Sequence, residues 1–149
     1  MNRLDIATAL AARFAPGALT PPSGETDIRS STYLLPATIT QTPCVLVFPP
    51  EETFAHSTRN RQSVQEWRVV FYLGQRGDTA PEMTRAYGWA DVLADALVGQ
   101  VHLGESADGV AYAVVAGMRT GSVTYASQDF LGIELGIAVH TSEGKNFTG

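Results

Sequence analysis

A chain of 149 residues with 44% hydrophobic and 17% charged side chains is long enough to bury one core and short for two. Its net charge of −5 argues against tight, sequence-independent nucleic-acid binding, which depends on neutralising phosphates. One cysteine, Cys44, excludes an internal disulfide framework and a thiolate metal cluster, and no apolar run approaches the ~20 residues that cross a bilayer.

The N-terminal stretch MNRLDIATALAARF interrupts its hydrophobics with Asp5 and Arg13, unlike a signal peptide, and reads as cytoplasmic at synthesis. Ile6 and Leu10, with Leu4, Ala7, Ala11 and Phe14 alongside, have helical spacing, so Asn2–Phe14 is expected to be a short amphipathic helix ended by Ala15-Pro16-Gly17. From about residue 16 to 42 the chain is rich in Pro, Gly, Ser and Thr and poor in periodic hydrophobics. Such a stretch is either a surface loop or an arm ordered by a neighbouring subunit, with Tyr33, Leu34 and Leu35 as its anchor.

Cys44-Val-Leu-Val-Phe48 is a short strand that Pro43 and Pro49-Pro50 are expected to keep from extending. A polar segment follows, carrying Glu51, Glu52, His56, Arg59 and Arg61, and leads to a strand in which Trp67, Val69, Phe71 and Leu73 share one face. The two strands make a hairpin whose charged, projecting tip is a candidate partner-contact loop.

The best-specified helix is Thr79–Gln100. Thr79 and Glu82 form a capping box, Pro81 sits in the first turn, and Met83, Tyr87, Ala90, Leu93 or Ala94, and Leu97 make the apolar stripe. Trp89 lies off that stripe and is either a second core contact or a subunit-interface anchor. Three strands are expected after it. Val110–Met118 ends at an Arg119-Thr120-Gly121 turn, Ser122–Ala126 ends at a Ser127-Gln128-Asp129 turn, and the last strand alternates Leu131, Ile133, Leu135, Ile137 and Val139 against a thin or exposed face. A mobile tail is expected from about 141 to 149. The element order predicts a single α+β domain over 1–149, a largely antiparallel sheet with two helices packed on one face.

No catalytic constellation emerges from this order. His56, His102 and His140 are scattered and lack metal-pair spacing, and Gly74-Gln-Arg-Gly-Asp78 lacks the lysine and glycine spacing of a phosphate loop. A nucleophile elbow is absent, and Asp91 and Asp95 read with Arg85 as a solvated helix face. The expectation is therefore a non-enzyme.

In the order of its elements, from the N-terminal helix through CVLVF, QEWRVVFYLG and TRAYGWADVLADALVG to FLGIELGIAVH, the chain resembles the tail terminator proteins of long-tailed bacteriophages. The resemblance spans nearly the whole chain and rests on architecture, so other tail-tube or neck subunits remain as alternatives. A small-molecule-binding or enzymatic α+β domain is the reading from a different class. The resemblance implies a structural virion protein forming a hexameric ring that caps the tail tube, stops its polymerisation and joins the tail to the head-neck complex. Its partners would be further copies of itself, the tail tube protein and a neck or head-tail connector protein, with genomic DNA passing through the lumen without specific binding. It implies no cofactor, no metal and no membrane. It places the protein in the virion tail, and in the host cytoplasm during assembly.

Overall fold

The computed structural model describes residues 2–56, 60–75, 79–97, 101–106 and 109–144. The chain is an α+β domain with a six-stranded sheet and two helices. The elements are α1 (Arg3–Arg13), β1 (Ser30–Thr32), β2 (Cys44–His56), β3 (Asn60–Gln75), α2 (Thr79–Ala96), β4 (Val101–Ser106), β5 (Gly109–Tyr125) and β6 (Gln128–Gly144), and the strand order is β1-β2-β3-β6-β5-β4. Among the described residues only the β1–β2 pair is parallel.

Helix α1 is capped as a free-standing helix should be. The Asn2 side chain accepts the Asp5 amide at 2.8 Å, Asp5 stands in the first turn and Arg13 in the last. Its buried residues, Ile6, Ala7, Leu10, Ala11 and Phe14, pack with Val45, Val47, Trp67, Val69, Phe71 and Leu73, and the Phe14 and Phe71 rings meet edge-on at 5.1 Å. The same cluster takes in α2 and the Leu131–Val139 alternation, so both helices cover one face of the sheet, as expected.

On α2 Ala86, Trp89, Leu93 and Leu97 are buried and Met83 and Ala90 pack partly buried against the same core, so the expected stripe holds except at Tyr87, which is 59% exposed. Tyr87 and Trp89 both satisfy helical spacing with the rest of that row. The sheet accepts the one carrying the larger indole because that side chain removes more apolar area from water. The Thr79–Glu82 capping box and residues 98–100 lie outside the side chains and residues described.

Four strand boundaries also differ from the expected ones. Strand β2 continues through Pro49-Pro50 to His56, with a register shift between Phe48 and Glu51. This is possible because β1 pairs only with Cys44–Leu46, leaving the outer edge of β2 without a ladder partner where the prolines lack N–H groups. Strand β5 does not turn at Arg119-Thr120-Gly121; it stays paired with β6, Arg119 opposite Glu134 and Gly121 opposite Gly132. The reversal falls instead at Ala126-Ser127, both at positive φ (50° and 64°), the two-residue turn whose twist suits a hairpin. Strand β6 runs past Thr141, which is buried, to Gly144; residues 145–149 are outside the described set. Strands β1 and β4 were not expected, being short and placed in segments dense in glycine or small polar residues.

The sheet's second face is not uniformly thin. At one end Cys44, Leu46, Val70, Tyr72, Val123 and Phe130 form a smaller core with Ile39, Phe48 and Tyr125 against it. The loop after β1 closes over this core, and the Tyr125 hydroxyl donates to the Pro36 carbonyl. Gly132 lies beneath Val123, where a Cβ would press on the Phe71 carbonyl oxygen.

Candidate functional site

The 16–42 segment is partly built into its own subunit. Ile28 is 2% exposed within the main core, and Arg29 N–H donates to the Pro43 carbonyl at 2.8 Å, next to β1. Glu25 Oε1 accepts from Arg85 Nε at 2.7 Å and from Trp89 Nε1 at 3.3 Å, and Pro22 packs where Gly88 leaves room. Trp89 is therefore a core residue, 0% exposed, and not an exposed interface anchor. Arg85 turns to the arm and away from the exposed Asp91 and Asp95. Of the expected anchor residues, Tyr33 packs partly against the main core, whereas Leu34 (69% exposed) and Leu35 project into solvent beside β1.

The hairpin expected to project is present as the paired strands β2 and β3, with His56 opposite Arg61 and Glu52 opposite Gln65. Glu51 is exposed. The side chains of Glu52, His56 and Arg61, and the whole of Arg59, lie outside the described parts. Glu51, Glu52, His56 and Arg61 therefore belong to a long ladder, not to a wide loop between two short strands.

Sequence reasoning missed the uncovered half of the second sheet face. Strand pairing sets Arg119 of β5 opposite Glu134 of β6, and Arg68 of β3 opposite Gly136, one row along on the same face. Glu134 accepts from Arg119 Nη2 at 2.9 Å and faces Arg68 Nη1 at 3.6 Å, and the Arg68 guanidinium lies 4.3 Å from the centroid of the Phe48 ring. In the Arg68 row Gly117 and Gly136 face each other, and in the next Glu51 stands directly across from Glu66. On this face an open trough of about 440 Å³ is lined by Phe48, Pro49, Glu51, Glu66, Trp67, Arg68, Glu134 and Gly136. The period-two alternation of β6 already puts Glu134 and Gly136 on one face, but only the register shows which arginines stand beside them.

Among the described residues no group of three or more His, Cys, Asp or Glu is arranged to hold a metal ion. His140 is exposed, and Cys44 is buried in the second core, which pushes its thiol up to about 11. No described helix is long and apolar enough to cross a membrane. The described surfaces define an α+β domain with two unlike sheet edges and one half-open sheet face. Comparison with protein-family models and with curated protein sequences returns no match to this chain.

Proposed function

We propose that the chain is a structural subunit of a long-tailed bacteriophage virion, a tail terminator whose copies form a ring on the end of the tail tube. The ring, a hexamer by resemblance, stops tube polymerisation and offers a docking surface to the neck or head-tail connector protein. Genomic DNA passes through its lumen without specific binding. An acidic chain, at −5, suits a conduit that must not retain phosphates.

The observation that carries this reading is the inequality of the sheet's two edges. One edge is β1, three residues long, with Leu34 and Leu35 projecting beside it; the other is β4, at the far side of β5. Contact between copies through two different patches is heterologous, and a heterologous contact builds rings or filaments, not two-fold dimers. Exposed leucines at such a position are an expense in solubility unless a neighbour covers them.

Native mass spectrometry and negative-stain imaging of the purified chain test the proposal directly. A closed ring with an open lumen supports it, and a monomer at all concentrations, even with tail tubes present, overturns it. For the hairpin tip, Arg59→Glu with Arg61→Glu is expected to leave stability nearly unchanged and weaken docking in a salt-sensitive way. Normal-length tails joined to heads at wild-type frequency would remove the tip from the docking surface.

A further inference from the structure

The trough on the half-open face has a composition that asks for a specific occupant. Gly136 lines it and faces Gly117 beside it on β5; a Cβ on Gly117 would meet nothing within 4 Å, and one on Gly136 would meet only Gly117 backbone. Bare backbone between two strands is a flat surface on which a ring can lie, and Phe48 supplies an aromatic wall. Along the same face, Glu51 and Glu66 oppose each other across the β2–β3 ladder, an arrangement that is unfavourable for two like charges. Arg68 and Arg119 are both directed to Glu134. Neither Glu51 nor Glu66 makes an ion pair among the described residues. The site therefore sets Phe48, Arg68 and the two glycines in one row and the acidic pair in the next, two residues further along β6, where Glu66 pairs with Ala138.

We infer that this trough receives the Lys145-Asn146-Phe147 segment of a second copy of the chain, with Lys145 between Glu51 and Glu66 and Phe147 on the Gly117–Gly136 floor. In an extended segment, residues two apart point the same way at a spacing of about 6.8 Å, which matches the two-residue step from the Ala138 row to the Gly136 row. The segment cannot occupy the trough of its own subunit. Gly144 lies opposite Asn60 at the other end of β6, so the acidic row is roughly 20 Å and the glycine floor roughly 27 Å away along the strand. The Lys145 Cα is about 3.8 Å from that of Gly144, and the Phe147 Cα at most about 11 Å, too short even with an extended side chain. The contact is therefore made in trans and between two unlike surfaces. It rests on the ring reading above and specifies one of its joints.

The test uses the full chain in two variants whose changes fall on exposed or terminal positions, Lys145→Glu with Phe147→Ala, and Glu51→Lys with Glu66→Lys. Sedimentation and native mass spectrometry read the assembly, and circular dichroism melting checks that each variant folds. Each variant is expected to weaken association at least tenfold without changing the melt. Lys145→Glu combined with Glu51→Lys and Glu66→Lys is expected to recover part of it, because the charges are exchanged. In parallel, Lys145→Cys with Glu66→Cys should give, on oxidation, a ladder of cross-linked multimers and no intramolecular bridge. A wild-type ring that persists in both charge variants and yields no ladder overturns the trough assignment and leaves the ring reading standing. The same holds if variant rings form normally and lose only their attachment to tail tubes, since another protein then occupies the trough. A wild-type chain that is monomeric under all conditions overturns both.

Discussion

Glu25 Oε1 accepts a hydrogen bond from Trp89 Nε1 at 3.3 Å, so the one indole buried in α2 has its polar atom satisfied by a residue from the irregular segment more than sixty positions earlier. The same oxygen accepts Arg85 Nε at 2.7 Å, and Arg85 Nη2 reaches the Leu73 carbonyl at 3.2 Å. One carboxylate thus ties the segment before β1 to α2 and to the end of β3.

Removing that carboxylate leaves a buried N–H without its partner, and Glu25→Ala is expected to lower stability by about 1–2 kcal/mol. Glu25→Gln, which keeps an acceptor oxygen, should cost less. Urea denaturation followed by tryptophan fluorescence measures both. Deletion of Ala18–Thr32, which would be harmless to the core if this stretch were only a subunit-exchanged arm, is expected to prevent folding because it removes Ile28 and β1 together with Glu25. A normal melt for the deletion would show that the segment is dispensable.

Two strand glycines on the second sheet face should answer the same substitution differently. A methyl at Gly132 would press on the Phe71 carbonyl oxygen and lie 2.5 Å from Val123 Cγ2, whereas one at Gly117 has open space. Gly132→Ala is expected to destabilise by roughly 2 kcal/mol or more through overpacking against backbone, and Gly117→Ala to change stability by less than about 0.5 kcal/mol. Equal melting temperatures for the two variants would contradict the packing described for β3, β5 and β6.

Alkaline pH should loosen the second core. Burial pushes the Cys44 thiol from its ordinary 9.0 up to about 11. It pushes the Tyr72 hydroxyl from 10.0 up to about 12, partly opposed by Arg68. In both cases the fold favours the neutral form and the unfolded chain ionises first. The stabilisation is therefore complete below pH 9 and is lost as pH rises, through about 11 for Cys44 and about 12 for Tyr72. For the thiol this amounts to a loss of the order of 2 kcal/mol. Cys44→Ala should lower the baseline through a small cavity and flatten the decline between pH 9 and 10.5. An unchanged slope would assign the transition to other groups.

The β5–β6 turn is an opportunity for stabilisation. Ala126 and Ser127 both hold positive φ, at 50° and 64°, where side-chain-bearing residues are disfavoured and Asn-Gly is preferred. Ala126→Asn with Ser127→Gly is expected to add about 0.5–1 kcal/mol without altering assembly. A lower melting temperature would mean that the existing side chains hold the turn by contacts of their own.

The sequence by itself determined the elements whose signal is local and repeated. The spacing of Ile6, Leu10 and Phe14 defines α1, and the alternation from Leu131 to Val139 defines the core face of β6, because each pattern fits only one period and one buried side. The composition and element order likewise sufficed for an α+β sheet with both helices on one face. The tertiary structure alone decided where competing local signals went. On α2 both Tyr87 and Trp89 suit the helical spacing of the row that ends in Leu93 and Leu97, and the sheet together with Glu25 buries Trp89. Pro49-Pro50 ends a strand only if the strand needs its outer N–H groups, and β1 is too short to require them there. Arg119-Thr120-Gly121 has the composition of a turn but lies in a long ladder opposite Ile133 and its neighbours, whose cooperative pairing outweighs three residues' preference. The trough has no local signature at all. Phe48, Glu66, Arg68, Glu134 and Gly136 come from three strands, and only the register between those strands brings them to one face.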